Sequence, residues 1–559
     1  MPPIVFKPSG KLNVNDAATD LQPIDLRIMK NLRPDQMGYL QTRDGSAVVH
    51  PTALDKPIFH ITCLEGSRYV FAGKNVYRDE TSIASDLNIS PWSTIPYNAF
   101  NSLIKTLFCV NGVDRKRIDG NNVNEWGIDP PSENPSLAVS GTGLTGVYSV
   151  RYTYARKEGD TVVSESNPSN PSQDITLSNQ GLQVTFARPA DTQVTHIGYY
   201  RTSAGGNIYR RIEYKPLSSI SGTTFTDNAA DSLLGNTVSI EHDRPPKGTY
   251  VLGPNFTGLL FMIVGKDLYY CLGQQPEYWP TDHFIEVSSN EYPGLQILFH
   301  DQSLYWLTKR HIYLITGSTH GSFFPSRVDS LTGVQNQYGA VSIHGVGLFH
   351  TGSDGIYQFH QGQDKKITLH EFEPIFKGES VGSLPGVATM TDSWMVAFKD
   401  NIYLGYRGLG AGSPNTILRY NVTTQRVAHY NYNNGKELEF PAVGVDDQNT
   451  HLFGGDTDGF VRELEVDNSS SDDSELIAWE CQSKDFIQEN RRHFPRWMKY
   501  DVDGTATGKL ILDDELHQSH TNIGGRNTKR RLVKTGNGFR SAINISGSGR
   551  AKVYAVEFE

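Results

Sequence analysis

The chain has 559 residues with 37% hydrophobic, 20% charged and 11% aromatic content, enough to build two or three packed cores and unlike a disordered or collagen-like composition. Lys and Arg number 51 against 61 Asp and Glu, a net charge of −10 that argues against a surface gripping nucleic acid by phosphate neutralisation. Four cysteines, Cys63, Cys109, Cys271 and Cys481, lie too far apart for a zinc or redox motif, so no disulfide framework is expected.

Tyr, Phe, Thr, Val and Ser recur between Gly and Asn/Asp clusters along the chain, the composition of many short strands. The first twenty residues hold no basic stretch followed by an apolar run, and no segment reaches eighteen uncharged apolar residues. Neither a secretion signal nor a membrane span is therefore expected, and synthesis is placed in the cytoplasm. RYVFAGKNVYR (68–78) sets Val76-Tyr77 eight residues after Arg68-Tyr69, a hairpin spacing. TLFCVNGVDRKRIDGNNVNEWGI (106–128) is a weaker copy in which Ile118 follows Leu107 by eleven, so either its turn is longer or the hairpin register differs there. Residues 1–138 are read as an N-terminal segment with the first blades of a β-propeller.

A Pro/Ser linker at 129–138 leads into GVYSVRYTYARKEGDTVVSESNPSNPS, whose apolar and polar residues alternate before a Pro-rich crossover. Strands follow at 182–188, 195–214 and 223–229. This spacing is that of a β-sandwich of about a hundred residues. Tyr152 and Tyr154 on an early strand, and HIGYYRTSAGGNIYRRI as a central hairpin, resemble a fibronectin type III module inserted at 139–236.

From 237 to 475 an internal repeat dominates. Leu260-Phe261 precedes Leu268-Tyr269, Leu304-Tyr305 precedes Ile312-Tyr313, Leu348-Phe349 precedes Ile356-Tyr357, Trp394-Met395 precedes Ile402-Tyr403, and Leu452-Phe453 precedes Phe460-Val461, each by eight residues. Polar turn segments such as VGKD, GSDG and DTDG separate the members. Successive copies start 44, 44, 46 and 58 residues apart, which brackets the length of a four-stranded propeller blade. The long last gap holds a further hairpin, ILRYNVTTQRVAHYNY (417–432). The expected fold is all-β: a discontinuous propeller of six or seven blades with a fibronectin-like insert. Alternating strands from 476 to 559, ending in AKVYAVEFE, are expected to close the propeller by pairing with its first blade, since open sheet edges invite aggregation.

Catalytic signatures are missing: the sequence has no GxSxG elbow, HExxH, Walker loop or CxxC. Asp456-Thr457-Asp458-Gly459 and Asp501-Val502-Asp503-Gly504 look like half a calcium loop but lack the downstream acidic ligands, and are read as hairpin turns. His300, His311, His344, His350, His360 and His370 crowd seventy residues without a shared ligand spacing. No catalytic, cofactor-binding or metal-ligating residue is assigned, no cofactor is expected, and the protein is not expected to be an enzyme. The five Asn-x-Ser/Thr triplets, at Asn88, Asn255, Asn421, Asn468 and Asn544, are read as chance in a chain without a secretion signal. Two basic clusters stand out in the acidic chain: Arg526, Lys529-Arg530-Arg531, Lys534 and Arg540, and Arg491-Arg492 with Arg496. They are read as solvated loops or, more sharply, as contacts to an acidic neighbouring subunit or to DNA phosphates.

Three segments in this order resemble the propeller-bearing tail proteins of short-tailed bacteriophages, the tail nozzle and the hub or DNA-stabilisation proteins. They are DLRIMKNLRPDQMGYLQTRDGSAVVHP near the start, GPNFTGLLFMIVGKDLYYCLGQQPEYWPTDHF at 253–284, and the terminal NISGSGRAKVYAVEFE. The resemblance implies a virion tail protein that assembles as a ring, a hexamer in such proteins, below the portal and adaptor. Such a ring retains the packaged genome and forms the conduit for DNA ejection, with tail fibre, spike or needle proteins as further partners. The modest length and the lack of a long central insertion leave nozzle and hub roles both open. A net negative conduit would repel a sliding polyanion weakly and not hold it. Two other classes stay open: a host-receptor or glycan-binding adhesin, and a glycan-cleaving propeller.

Overall fold

The computed structural model describes residues 3–35, 37–98, 102, 104–368, 370–487, 492–534 and 536–558. Among them the regular secondary structure is nearly all strand, with a single four-residue α-helix at Glu373–Phe376. Seven four-stranded blades succeed one another in chain order, five as separate sheets and the last two as parts of larger ones. Blade 1 comprises Ile58–Leu64, Ser67–Ala72, Asn75–Arg78 and Thr81–Ala84. Blade 2 comprises Ser93–Tyr97, Thr106–Val110, Arg115–Asp119 and Asn122–Glu125. Blades 3, 4, 5 and 6 start at Tyr250–Leu252, Gly294–His300, Ala340–Ile343 and Val387–Phe398. Blade 7 comprises Ala442–Val445, Leu452–Gly455 and Val461–Val466, with Gly45–Val48 as its fourth strand. The fold is an interrupted β-propeller.

The repeated doublets explain themselves on these sheets. Neighbouring residues of a strand point to opposite faces, so two adjacent buried apolar side chains require a sheet covered on both sides. Leu260, Phe261 and Leu268 in blade 3 and Leu348, Phe349 and Ile356 in blade 5 are all buried. In blade 5 Thr351 faces Ile356 across the hairpin, and in blade 3 Ile263 faces Leu268. Blade 7 packs through Ala442, Phe453 and Val461 on Ile58, Ile61 and Val70 of blade 1. Any side chain at Gly444 would collide with the Ile61 carbonyl, so close approach there requires glycine. Val251, Leu260 and Met262 of blade 3 pack likewise on Phe108, Val110 and Trp126 of blade 2. The eleven-residue spacing in blade 2 is a longer turn, with Leu107 opposite Ile118 and the Asn111 Oδ1 accepting from the Val113 and Asp114 amides.

Two compact units divide the chain: Met1–Ile89 with Leu298–Leu314 and Ser326–Glu559, and Ser90–Ile297 with Ile315–Pro325. The second unit holds the fibronectin type III-like sandwich. One of its sheets is built from Ser136–Tyr148, Ile175–Thr185 and Thr224–Asp227, the other from Thr161–Glu165, Val150–Glu158, His196–Arg201 and Arg210–Pro216. Tyr152, Tyr154, Phe186, Tyr199 and Phe225 interlock in its core. Glu277, which follows blade 3's third strand and is 2% exposed, bolts the sandwich down. Its carboxylate accepts from Arg156 of the sandwich (2.7 Å) and the Gly127 amide (2.9 Å), and lies 3.4 Å from Arg117 of blade 2.

The expected closure by the C-terminal strands is corrected. Lys552–Phe558 pairs with Trp497–Asp503, Leu40–Thr42 and Ile4–Phe6, so its hydrogen-bonding edges are filled within a C-terminal sheet and none is left for blade 1. That sheet faces another in which Ala478–Ser483, Arg540–Ser548, Ala506–Leu512 and Glu515–His520 extend from Leu26–Lys30. The strand that completes the last blade is Gly45–Val48, with Val48 opposite Arg462 and Ala47 opposite Glu463.

A buried ion pair anchors that strand. Arg43 and Asp472 are each 1% exposed and meet in a bidentate pair, Nη1 to Oδ1 at 3.0 Å and Nη2 to Oδ2 at 2.5 Å. The remaining Arg43 donors reach Asn31 Oδ1 and the Asp44 and Asn431 carbonyls, and its guanidinium lies 3.8 Å above the Tyr432 ring. Asp472 also accepts from the Ser46 amide and hydroxyl and from the Asn433 amide. Beside it, Arg33 bridges Asp44 and Glu465, and Arg462 bridges Asp456 and Asp473. Burial pushes the Glu465 carboxyl up, and Arg33, Arg419 and Arg43 pull it back.

Removing one partner of a buried pair strands the other charge, a loss of about 3–5 kcal/mol. Asp472→Ala is expected to lower the unfolding free energy of the full chain, read from urea melts, by that amount; a loss below about 1 kcal/mol would show that the pair is dispensable.

Candidate functional site: a cationic sheet edge

Arg526 and Lys529-Arg530-Arg531 of the basic cluster form one edge and face of a sheet, while Lys534 follows that strand and Arg540 begins a strand of the other sheet. Trp497–Asp503 alternates buried Met498, Tyr500 and Val502 with Trp497, Lys499 and Asp501 on the other side. Gly525–Arg531 pairs with this strand and with no other described strand, so its far edge is open. Six of its seven residues are exposed. Register places Trp497 opposite Arg531 and Lys499 opposite Lys529. The Lys529 ammonium sits 4.9 Å over the Trp497 ring, Arg526 lies 3.8 Å over Tyr554, and Lys552 lies 5.4 Å over Tyr39, whose ring is 4.8 Å from that of Tyr554. The outer face is thus a ladder of cations on aromatic rings, with Trp497 37% exposed.

Acidic groups neutralise only part of it. Asp501 pairs with Arg526, Glu557 lies 3.8 Å from Lys499, and Asp514 takes Arg540. Lys529, Arg530, Arg531 and Lys534 join no ion pair among the described residues. Like charges placed opposite each other on neighbouring strands repel, so the Lys499 and Lys529 pair is a cost that an anionic partner would relieve. The second cluster sits nearby: Arg492 donates to Asn537 and stacks on Phe539, while Arg491 lies outside the described residues. Residues 477–559 carry 14 Lys and Arg against 10 Asp and Glu, whereas the other 476 residues carry 37 against 51. The chain is electrically divided, which composition over its full length concealed.

The histidines distribute as follows. His350 is fully buried and bonds Asp364 (3.0 Å) and the Gly333 carbonyl (3.3 Å). His300 and His344 both face Asp301, at 3.4 and 3.0 Å, and the His360 ring is 6.4 Å from that of His300; strand packing creates this grouping and sequence spacing could not reveal it. His370 pairs with Asp16, and His311 packs edge-on against Tyr313. No set of three His, Cys, Asp or Glu side chains among the described residues is arranged to hold a metal. Asp456 closes its turn by accepting from the Asp458 and Phe460 amides and from Arg462. Among the five Asn-x-Ser/Thr triplets, Asn544 is buried and bonds Glu480, and Asn255 and Asn421 brace turns. The four cysteines are buried and unpaired. No helix of the described residues is long and apolar enough to cross a membrane.

A residue that the sequence did not single out, His429, is 2% exposed at the end of blade 6. Burial, with help from Lys30, holds its pKa down at about 3.

No protein-family model and no curated protein matches the chain. Among solved structures it is similar to Hsv2 of Kluyvelomyces marxianus, at 8% identity and a TM-score of 0.28 over 61% of this chain and 95% of that one. It is also similar to PorZ, an essential bacterial surface component of the type-IX secretion system of Porphyromonas gingivalis, at 8% identity and a TM-score of 0.31 over 89% of this chain and 48% of that one. The match therefore spans about half of the PorZ chain.

With a folded pKa near 3 against about 6.5 unfolded, His429 takes up its proton first in the unfolded state as pH falls. Its contribution is present above pH 6.5 and is lost towards pH 3, at about 1.4 kcal/mol per pH unit. Wild-type minus His429→Leu stability, from urea melts at pH 7, 6 and 5, is expected to fall by about 2 kcal/mol in all, the larger part between pH 6 and 5; a flat difference would contradict the assignment.

Proposed function

We propose that the chain is a structural subunit of a bacteriophage tail, a ring-forming nozzle or hub protein below the portal and adaptor. In this reading it retains the packaged genome, offers the conduit for double-stranded DNA ejection, contacts adaptor and fibre, spike or needle proteins, and catalyses nothing. The observation that carries the reading is the electrical division of the chain: an open, cation-lined edge at one end and acidic excess elsewhere. A surface complementary to a different surface of the same molecule makes head-to-tail contacts, and these close into rings when the rotation permits. The acidic remainder suits a passage that must not retain a polyanion. The bolted sandwich also favours a rigid wall over a mobile adhesin arm, because Glu277 fixes the insert to the blades that flank it.

Electron microscopy of the purified full chain, alone and with portal-proximal proteins, tests this. Rings with a central hole are expected, as is only weak DNA retention at physiological salt. The triple variant Lys529→Glu, Arg530→Glu and Arg531→Glu is expected to remain monomeric with an unchanged melting temperature. Monomers under all conditions, or tight capture of DNA by the assembled ring, would overturn the reading.

A further inference from the structure

A polar cleft of about 370 Å³ opens where Leu26–Lys30 meets the end of blade 6. That volume lies at the lower end of small-molecule sites, roughly 300–1,000 Å³. Pro385 and Leu409 are the apolar side chains of its lining; the rest is ammonium, hydroxyl, amide, imidazole and carboxylate.

Its hydrogen-bonding groups are held in place yet incompletely used. Glu437 Oε1 accepts from Asn415 Nδ2 (3.1 Å) and from Asn431 Nδ2, which fixes the carboxylate and leaves Oε2 without a donor among the described residues. Asn433 Oδ1 accepts from the Gly435 amide (2.8 Å), leaving its NH₂ free, and an isolated bridge between Asn433 and Glu437 sets the rim. Ser380 Oγ accepts from the Gly386 amide (2.9 Å) and keeps its own proton to donate. Lys30 joins no ion pair among the described residues. In the wall, His429 is buried and its Nε2 has no hydrogen-bond partner.

This inventory has a chemical complement. One cation and several neutral donors, faced by one carboxylate acceptor, suit a ligand with one anionic group and several hydroxyls. A bare inorganic anion would leave Glu437 repelled and most of the volume empty; a neutral sugar would leave Lys30 unmatched. We propose that the cleft binds an acidic sugar of the hexuronate type, its carboxylate on Lys30 and its ring hydroxyls on Ser380, Asn433 and Glu437. The rim is also continuous with the Arg43 and Asp472 pair, through the Asn431 carbonyl and the Asn433 amide, so an occupied cleft braces that joint. The site stands whether or not the chain is a tail subunit.

Titration of the full-length protein with glucuronate, glucose and inorganic phosphate, followed by calorimetry and saturation-transfer NMR, tests it. Glucuronate is expected to bind, with glucose and phosphate each at least about tenfold weaker, as loss of one charge-assisted hydrogen bond implies. Lys30→Ala is expected to weaken glucuronate about tenfold. Ser380→Trp, an exposed rim change, is expected to abolish binding while the chain stays folded, its melting temperature lowered only by loss of the bond from the Gly386 amide. Phosphate binding as well as glucuronate would make this a plain anion site and overturn the sugar assignment. Binding that survives Ser380→Trp, or no binding of glucuronate at tens of millimolar, would overturn the cleft itself.

Discussion

The bidentate contact between Arg43 and Asp472 is the constraint on which its unit depends. A guanidinium and a carboxylate at 1% exposure are tolerable only when every donor and acceptor finds a partner. Here the partners come from three places: Asn31 and Ser46 near the start of the chain, the Asn431 and Asn433 backbone after blade 6, and the 472 turn after blade 7. Satisfying the charges therefore determines where the N-terminal strands lie. Glycine at 45 completes the arrangement, because any side chain there would meet the Ser471 carbonyl.

The second unit solves the same problem with the opposite polarity. In the first, one arginine gathers carbonyls and a carboxylate; in the second, one carboxylate, Glu277, gathers two arginines and an amide. Buried ion pairs are weak as sources of net stability but strong as specifiers of geometry, since a misplaced module leaves a charge with no partner. Two such pairs set the docking of elements that apolar packing alone would leave free to slide.

Much of the fold was readable from the chain because a blade imposes a local signature. A doublet such as Leu348-Phe349 buries both pleat faces, and eight residues to its counterpart is the length of a short hairpin, so both facts lie within one window of sequence. The terminal strand was misjudged for the converse reason. AKVYAVEFE announces a strand, but nothing in it distinguishes Ile4–Phe6 and Trp497–Asp503 from blade 1 as its neighbours, nor shows the irregularity in register that puts Val553 on the buried side with Val556 and Phe558. The polar cleft was equally hidden. Lys30, Ser380, Asn433 and Glu437 span four hundred residues, and it is the single pairing of Lys30 with His429 that brings the first to the others. The cationic edge was visible as a run of basic residues, but its stacking on Trp497 and Tyr554 needed the register of three strands.

The strand Gly45–Val48 has a consequence for biosynthesis. A ribosome extrudes it early, yet the residues that pair with it, Arg462 and Glu463, and the aspartate that holds its neighbour, Asp472, emerge more than four hundred residues afterwards. At about 5–20 residues per second the nascent strand waits tens of seconds with an unpaired edge. Its brevity, its glycine, its own polar Ser46 and the adjacent Asp44 make that edge a poor template for self-association during the delay. Maturation of the first unit is in this sense a last-in event, completed when the late chain returns to collect the early one.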